Sequence, residues 1–249
     1  MVARRQATVS AETTGRIRDV LVEEGQRVAN GQIIARLDDA RARAALAEAT
    51  ARLEQAQADA SAARTAADNA LPIYLRTQKQ HAAGIISAQT FDSARAAYEA
   101  VVADRLVKER GVQVMRAMQS SAQHNWEETI VRAPFAGMVT VKAAQPGEIV
   151  SPLSASGGFA RTGIGTIVDM DSLEVEVDVN ETSIGGVRPG QAATIRLNAY
   201  PDRELAAETI AVVPAVDRAK ATVKVRVGFK ARDPRILPDM GVRVSFLGD

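Results

Sequence analysis

A chain of 249 residues, 46% hydrophobic and 24% charged, has room for two or three modest domains. Its 31 Lys and Arg nearly cancel 30 Asp and Glu, so it offers nucleic acid no broad cationic field, and zero cysteines exclude disulfides and thiolate metal sites. Aromatic residues make up only 4%, so Ala-rich helices and Val-rich strands must supply the packing. No apolar run approaches the ~18 residues of a membrane span, and the opening MVARRQATVS lacks a signal-peptide core.

Residues 7–38 read as short strands and turns. GRIRDVLVEEGQRVANGQIIARLD alternates Ile17, Val20, Val22 and Val28 with charge, and Gly25 and Gly31 stand where tight turns need positive φ. Residues 128–150, ETIVRAPFAGMVTVKAAQPGEIV, repeat this grammar. In each copy a Gly (Gly15, Gly137) precedes an alternating strand, an acid-flanked Gly turn follows (Gly25, Gly147), and a Val closes it (Val28, Val150). The period of about 25 residues with only two copies predicts two halves facing each other across a pseudo-twofold axis, not a solenoid.

Between the halves, residues 39–127 predict two long helices. Leu46, Leu53, Ala60, Ala67 and Tyr74 recur every seventh residue, with Ala49, Ala56, Ala63 and Ala70 three places later. That is an a/d seam made mostly of alanine, which lets a partner helix approach closely. The returning helix carries Phe91, Tyr98, Val112 and Trp126 on one register and Ala94, Val101, Met115 and Ala122 on the other, interrupted by Arg105, Lys108 and Gln119. Arms of near-equal length, ~60 Å at 1.5 Å per residue, suit an antiparallel hairpin. Pro72 and Gly111 are expected to bend or weaken their arms.

The arms meet at His81–Ser87, HAAGIIS. Gly84 suits the left-handed residue after a helix end and Ser87 an N-cap. Ile85 and Ile86 have little core within reach at the far end of a two-helix arm, which marks them as partner-contact candidates. Beyond Val150, residues 151–165 read as a mobile Ser- and Gly-rich loop, and GTIVDM as a closing strand. From Leu173, LEVEVDV sets Leu173, Val175, Val177 and Val179 against Glu174, Glu176 and Asp178. AATIRLN, ETIAVV, ATVKVRVGF and GVRVSFL continue the alternation, which predicts five or six short strands in a small antiparallel barrel, with the N-terminal residues as a further strand.

Catalytic chemistry has no foothold in this pattern. The two histidines, His81 and His124, lie at opposite ends of the returning arm, too far apart to share an ion; the first is expected to be exposed at the tip. No nucleophile elbow, phosphate-cradling Gly loop or acid–base carboxylate pair stands out. The chain reads as neither an enzyme nor a cofactor carrier.

The two half-motifs resemble the biotinyl/lipoyl carrier fold. Split by a long hairpin and followed by a small barrel, they resemble the periplasmic adaptor (membrane fusion protein, HlyD-like) family of tripartite efflux and secretion systems. The segments carrying the likeness are GRIRDVLVEEGQRVANGQIIARLD, IVRAPFAGMVTVKAAQPGEIV, GTIVDMDSLEVEVDVNE with VRPGQAATIRL, and LPDMGVRVSF. Many relatives have Pro-Gly-Met where Pro238-Asp239-Met240 stands. The resemblance implies an elongated α+β chain. A long antiparallel α-helical hairpin (39–127) is inserted in a lipoyl/biotinyl-like β-sandwich (8–38 with 128–170), and a small antiparallel β-barrel follows (171–249 with about 1–7). It implies a hexameric periplasmic adaptor between an inner-membrane transporter, ABC in preference to RND, and a TolC-type outer-membrane channel. It also implies a membrane-proximal domain and anchor that this chain is expected to lack.

In that family the hairpin tip meets the channel through an Arg, a Leu four residues on and a Ser seven further. Here Arg76, Gln80 and Ser87 hold those spacings, so Gln80 departs from the pattern. With Ile85 and Ile86 they form the implied docking site, and Gln145 is a candidate for lining the bore. A carrier subunit of an enzyme complex would need a modifiable lysine in the turn joining the halves, where this chain has the helical excursion. Type I secretion and a cytoplasmic coiled-coil scaffold are the remaining alternatives, and the scaffold leaves both β-domains unexplained.

Overall fold

In the computed structural model the half-motifs exchange strands. Residues 1–152, 162–217, 220–231, 233 and 235–247 are described, so most of the loop expected over 151–165 lies outside them. Two compact units emerge: Met1–Leu37 with Val131–Asp249, and Asp38–Ile130.

In the first unit, strands β2 (Gln6–Val9), β3 (Gly15–Val20), β4 (Arg27–Val28), β5 (Ile33–Leu37), β6 (Ile130–Arg132), β7 (Gly137–Lys142), β8 (Ile149–Val150) and β9 (Gly165–Val168) form two four-stranded sheets. Their orders are β2-β9-β7-β4 and β6-β5-β3-β8. Each half lends its short strand to the other half's sheet: Val28 pairs with Gly137, and Gly15 with Val150. The pseudo-twofold extends to single bonds. Gly25 donates to the Val139 carbonyl and Gly147 to the Ile17 carbonyl, both at 2.8 Å. Ile17, Ile34, Leu37, Val139, Val150 and Ile167 are sealed between the sheets. Close packing makes Gly137 obligatory, because a Cβ there would stand 2.6 Å from the Val168 carbonyl oxygen.

The remaining strands are β1 (Val2–Ala3), β10 (Leu173–Asn180), β11 (Ala192–Leu197), β12 (Tyr200–Asp217), β13 (Thr222–Phe229) and β14 (Val242–Phe246). They form an antiparallel sheet ordered β1-β10-β13-β12-β11-β14. Residues 1–7 thus divide between two sheets, with Val2 opposite Glu174 and Gln6 opposite Val168. The sheet curls until the Met1 ammonium donates to the Met240 carbonyl at 3.2 Å. Val175, Ile195, Val225 and Val227 fill the interior, while Glu174–Arg226, Glu176–Lys224 and Asp178–Lys220 ion pairs run down the outer face. Asp239 sits at φ +60, the left-handed backbone region that favours glycine.

The second unit is the hairpin: α1 (Ala40–Ala82) and α2 (Ala88–Glu127). Every a and d residue of α1 from Leu46 to His81 is shielded, and Ala63 and Ala67 are fully buried. Tyr74 stacks on Tyr98 at 4.9 Å and His81 on Phe91 at 4.9 Å, which fixes the antiparallel register. One heptad inward, the same register sets Arg105 opposite Ala67, a long side chain over a short one. The Arg105 guanidinium leaves the seam toward Glu109 at 3.7 Å. Arg105 and Gln119 therefore occupy the seam rather than break it, and Lys108 alone of the three is exposed. Helix α1 continues through Pro72, whose exposure lets water bond the carbonyl freed one turn earlier. At the base, Asp39 accepts from Arg43 at 2.6 Å and from the Trp126 indole N–H at 3.4 Å. Among the described residues no helix is long and apolar enough to cross a membrane.

Candidate functional site: the hairpin tip

The tip is built by two helix caps in series. Helix α1 ends in a Schellman motif: the Ile85 N–H donates to the Gln80 carbonyl and the Gly84 N–H to the His81 carbonyl, both at 2.9 Å, with Gly84 at φ +71. A Schellman end usually packs the residue after the glycine against the residue three places before the cap. Here these are Ile85 and Gln80. A polar Gln80 provides no apolar cover, and Ile85 is left 71% exposed.

Helix α2 starts on Ser87, whose Oγ accepts from the Thr90 N–H at 3.2 Å and bonds the Thr90 hydroxyl at 2.9 Å. Ile86 and Phe91 hold the two positions of a hydrophobic staple, and both are half-buried. His81 Nδ1 bonds the Ile86 carbonyl at 3.4 Å while its ring lies on Phe91 at an interplanar angle of 4°. This corrects the expectation of a solvent-exposed tip histidine, because His81 is half-buried and ties the turn to the seam. Tyr98, Tyr74, Phe91 and His81 form one run of stacked rings beneath the tip. Their seventh-residue spacing (74 and 81, 91 and 98) was the sequence signal for the whole set, His81 included.

Of the predicted tip residues, Arg76 and Gln80 stand one turn apart on the same flank of α1 with their side chains exposed. Ile85 projects from the turn, Ile86 is tucked under it, and the Ser87 hydroxyl is engaged in its cap. The tip exposes a guanidinium, an amide and an isoleucine.

Gln145 lies elsewhere, in the first unit. It lines an open cleft of about 560 Å³ with Glu23, Glu24, Lys142 and Pro146. The cleft is where the two equivalent turns of the repeat meet. Lys142 bridges them, its Nζ 2.7 Å from Glu23 Oε1 and its backbone N–H donating to Glu24 Oε1 at 2.9 Å. Gln145 itself is exposed, and its backbone N–H donates to Glu148 at 3.0 Å.

Comparison with known proteins places this architecture. Residues 5–159 match the family model "RND MFP, barrel-sandwich hybrid domain", and residues 173–249 the model "CusB-like, beta-barrel domain". The multidrug resistance protein MdtN of Escherichia coli is 28% identical over 222 residues, covering 76% of this chain and 64% of its own. An uncharacterised protein of Haemophilus influenzae is 26% identical over 227 residues, covering 91% of this chain and 50% of its own, so the chain spans about half the length of that relative. Among solved structures, MacA from Actinobacillus actinomycetemcomitans superposes with a TM-score of 0.81 at 21% identity, over 98% of this chain and 75% of that one. With its hairpin spliced between the halves of a hybrid sandwich and a barrel after it, the chain belongs to the membrane fusion protein family.

Proposed function

We propose that this chain is the periplasmic adaptor of a tripartite efflux pump, joining an inner-membrane transporter to a TolC-type outer-membrane channel. The observation that carries the reading is a stiff two-helix arm, closed by a Schellman turn and a serine cap, inserted where a carrier domain would present its lysine. An arm of 43 and 40 helical residues holds its tip ~60 Å from its base at 1.5 Å per residue. Such an arm bridges a gap, and nothing at its tip is equipped to transform a molecule. The names of MdtN, a multidrug resistance protein, and MacA, a macrolide export protein, favour export of small molecules.

In this reading Arg76, Gln80, Ile85, Ile86 and Ser87 form the channel-docking tip, and six copies surround a bore lined in part by Gln145. The transporter supplies the energy, and the ABC class is preferred to RND on the likeness of the VNE and DMGVRVSF segments. The protein works in the periplasm, tethered to the inner membrane. The test is co-purification with a TolC-type channel. Arg76→Ala with Ser87→Ala should lower recovery of the channel at least tenfold while helicity is unchanged, and full recovery would contradict tip docking.

A further inference from the structure

We propose that Asn30 is a site of spontaneous deamidation, held unreacted in the folded chain by a side-chain clip from Gln32 and released to react when that turn opens. The proposal goes beyond the adaptor reading and does not depend on it.

Among the described residues four tight turns share one build: 23–26, 29–32, 145–148 and 188–191, with the sequences EEGQ, ANGQ, QPGE and RPGQ. The third residue of each is a glycine at φ between +76 and +93. The N–H of the fourth residue closes the turn on the carbonyl of the first at 3.1–3.2 Å, and the glycine N–H donates outward to a facing segment at 2.8 Å. A further bond then clips the turn. The side-chain oxygen of the fourth residue (Gln26, Gln32, Glu148 or Gln191) accepts the N–H of the first at 2.9–3.0 Å. Three of these turns hold no asparagine. The turn 29–32 holds Asn30 followed by Gly31, whereas Asn69, Asn125, Asn180 and Asn198 all precede larger residues.

An asparagine followed by glycine carries its own nucleophile. The Gly31 backbone nitrogen loses its proton to solvent base and attacks Asn30 Cγ. A C–N bond forms, the bond from Cγ to Nδ2 breaks, and ammonia leaves with a proton returned by solvent, which closes a cyclic imide. Water then opens the ring at either carbonyl and leaves an aspartate or an isoaspartate. The net change is one water in and one ammonia out, with no change in oxidation state. Glycine permits the attack because it has no Cβ to bar the approach. Asn30 and Gly31 are both exposed, so base and water reach them. The turn is what holds the reaction back. The Gly31 N–H is bonded to the Ala133 carbonyl at 2.8 Å, the Gly31 carbonyl accepts from Arg132 Nη1 at 3.0 Å, and the Ala133 N–H donates to the Gln32 carbonyl at 2.9 Å. The nitrogen that must lose its proton and turn toward Cγ is thus tied to Ala133, and Gln32 Oε1 fixes the first residue of the same turn. An isoaspartate would lengthen the main chain inside the turn, so that the closing bond from Gln32 to Ala29 and the pairing with Ala133 no longer fit together. Either product adds a carboxylate.

The test is peptide mass spectrometry of the full-length chain incubated in mildly alkaline buffer, which follows replacement of the Asn30 amide NH2 by OH. The folded chain should react at Asn30 at least ~tenfold more slowly than the same chain in urea, because only the open turn reacts. In urea Asn30 should outpace every other asparagine. Gln32→Ala should speed the reaction in the folded chain about fivefold, the factor for one lost hydrogen bond. Gln32→Glu keeps an acceptor, as Glu148 does in its own turn, and should stay near the wild-type rate. Gln26→Ala removes the equivalent clip from a turn without asparagine and should leave the rate at Asn30 unchanged. If circular dichroism shows Gln32→Ala unfolded, Arg132→Ala, which releases the Gly31 carbonyl, takes its place with the same expectation. Equal rates in the folded and unfolded chain would overturn the protection, and a faster reaction at another asparagine in urea would overturn the site. No acceleration by Gln32→Ala, or equal acceleration by Gln26→Ala, would overturn the role of the clip.

Discussion

Replacing Gln80 by leucine should stiffen the tip, because the Schellman turn there lacks its usual apolar contact. Ile85 is 71% exposed, and its neighbour across the turn is the amide of Gln80. A leucine covering about 40 Å² of Ile85 gains ~1 kcal/mol at ~25 cal/mol per Å². Leucine and glutamine have nearly equal helix propensities, so the gain comes from the contact alone. The turn is opened by local fluctuation, not by melting of the whole chain, so the readout is native-state amide exchange at Gly84 and Ile85. These N–H groups donate to the His81 and Gln80 carbonyls at 2.9 Å. Protection at both should rise about fivefold in Gln80→Leu, the factor that corresponds to ~1 kcal/mol, with exchange deep in the helices unaltered. Unchanged or lower protection at both amides would refute the claim that the missing contact, and not strain at Gly84, leaves the turn loose.

Other outcomes follow from the same geometry. His81→Ala removes the ring stacked on Phe91 and the bond to the Ile86 carbonyl, so exchange at the bonded turn amides of Gly84 and Ile85 should quicken about fivefold while helicity stays constant; unchanged exchange would deny His81 its tie. Gly137→Ala should cost about 2–3 kcal/mol in denaturant unfolding, whereas its pseudo-twofold mate Gly15→Ala should cost less than about 1, as measured by the two midpoints. The first Cβ meets a backbone oxygen at 2.6 Å and the second only a movable Leu37 methyl at 3.1 Å. Asp239→Gly should stabilise the barrel by about 1 kcal/mol by relieving a side chain held at φ +60, and a drop in stability would show that the Asp side chain is needed there. Asp233 is lowered to about 2, first by its side-chain bond to Arg235 and then by the Arg235 backbone N–H. Because the folded value lies below the unfolded one, this pairing stabilises above the ordinary carboxylate value of about 3.9 and is lost as pH falls through about 2. Arg235→Ala should return the Asp233 titration, followed by NMR, toward that ordinary value.

The fold was legible where a period repeats often enough to exceed noise. Nine a/d positions from Leu46 to Tyr74 announce one helix, and the reciprocal glycines Gly15 and Gly137 announce a folded duplication. The exchange of β4 and β8 between sheets was not legible, because two-residue strands carry no periodicity. Strand β12 outgrew the expected ETIAVV to span Tyr200–Asp217, since its register shifts near Thr209 and Val212 break the alternation that would have marked its length. At the tip, Gly84 and Ser87 announced their caps by residue type alone. Distance from any core predicts that Ile85 is exposed. The structure adds a local cause, the polar Gln80 at the position that should cover it, and this depends on knowing which carbonyl the Ile85 amide reaches. A histidine near a chain reversal suggests solvent, whereas its place in the heptad directs His81 to Phe91.

The central claim is that the tip meets an outer-membrane channel. Its most direct test is a photo-crosslinking amino acid at Ile85 in the native host, with a second at the outward-facing Lys224 on β13 as control. The account predicts a crosslink from position 85 to a TolC-type protein and none from position 224 to that protein. A tip that crosslinks only to soluble or inner-membrane proteins, with the channel present and the adaptor folded, would contradict it.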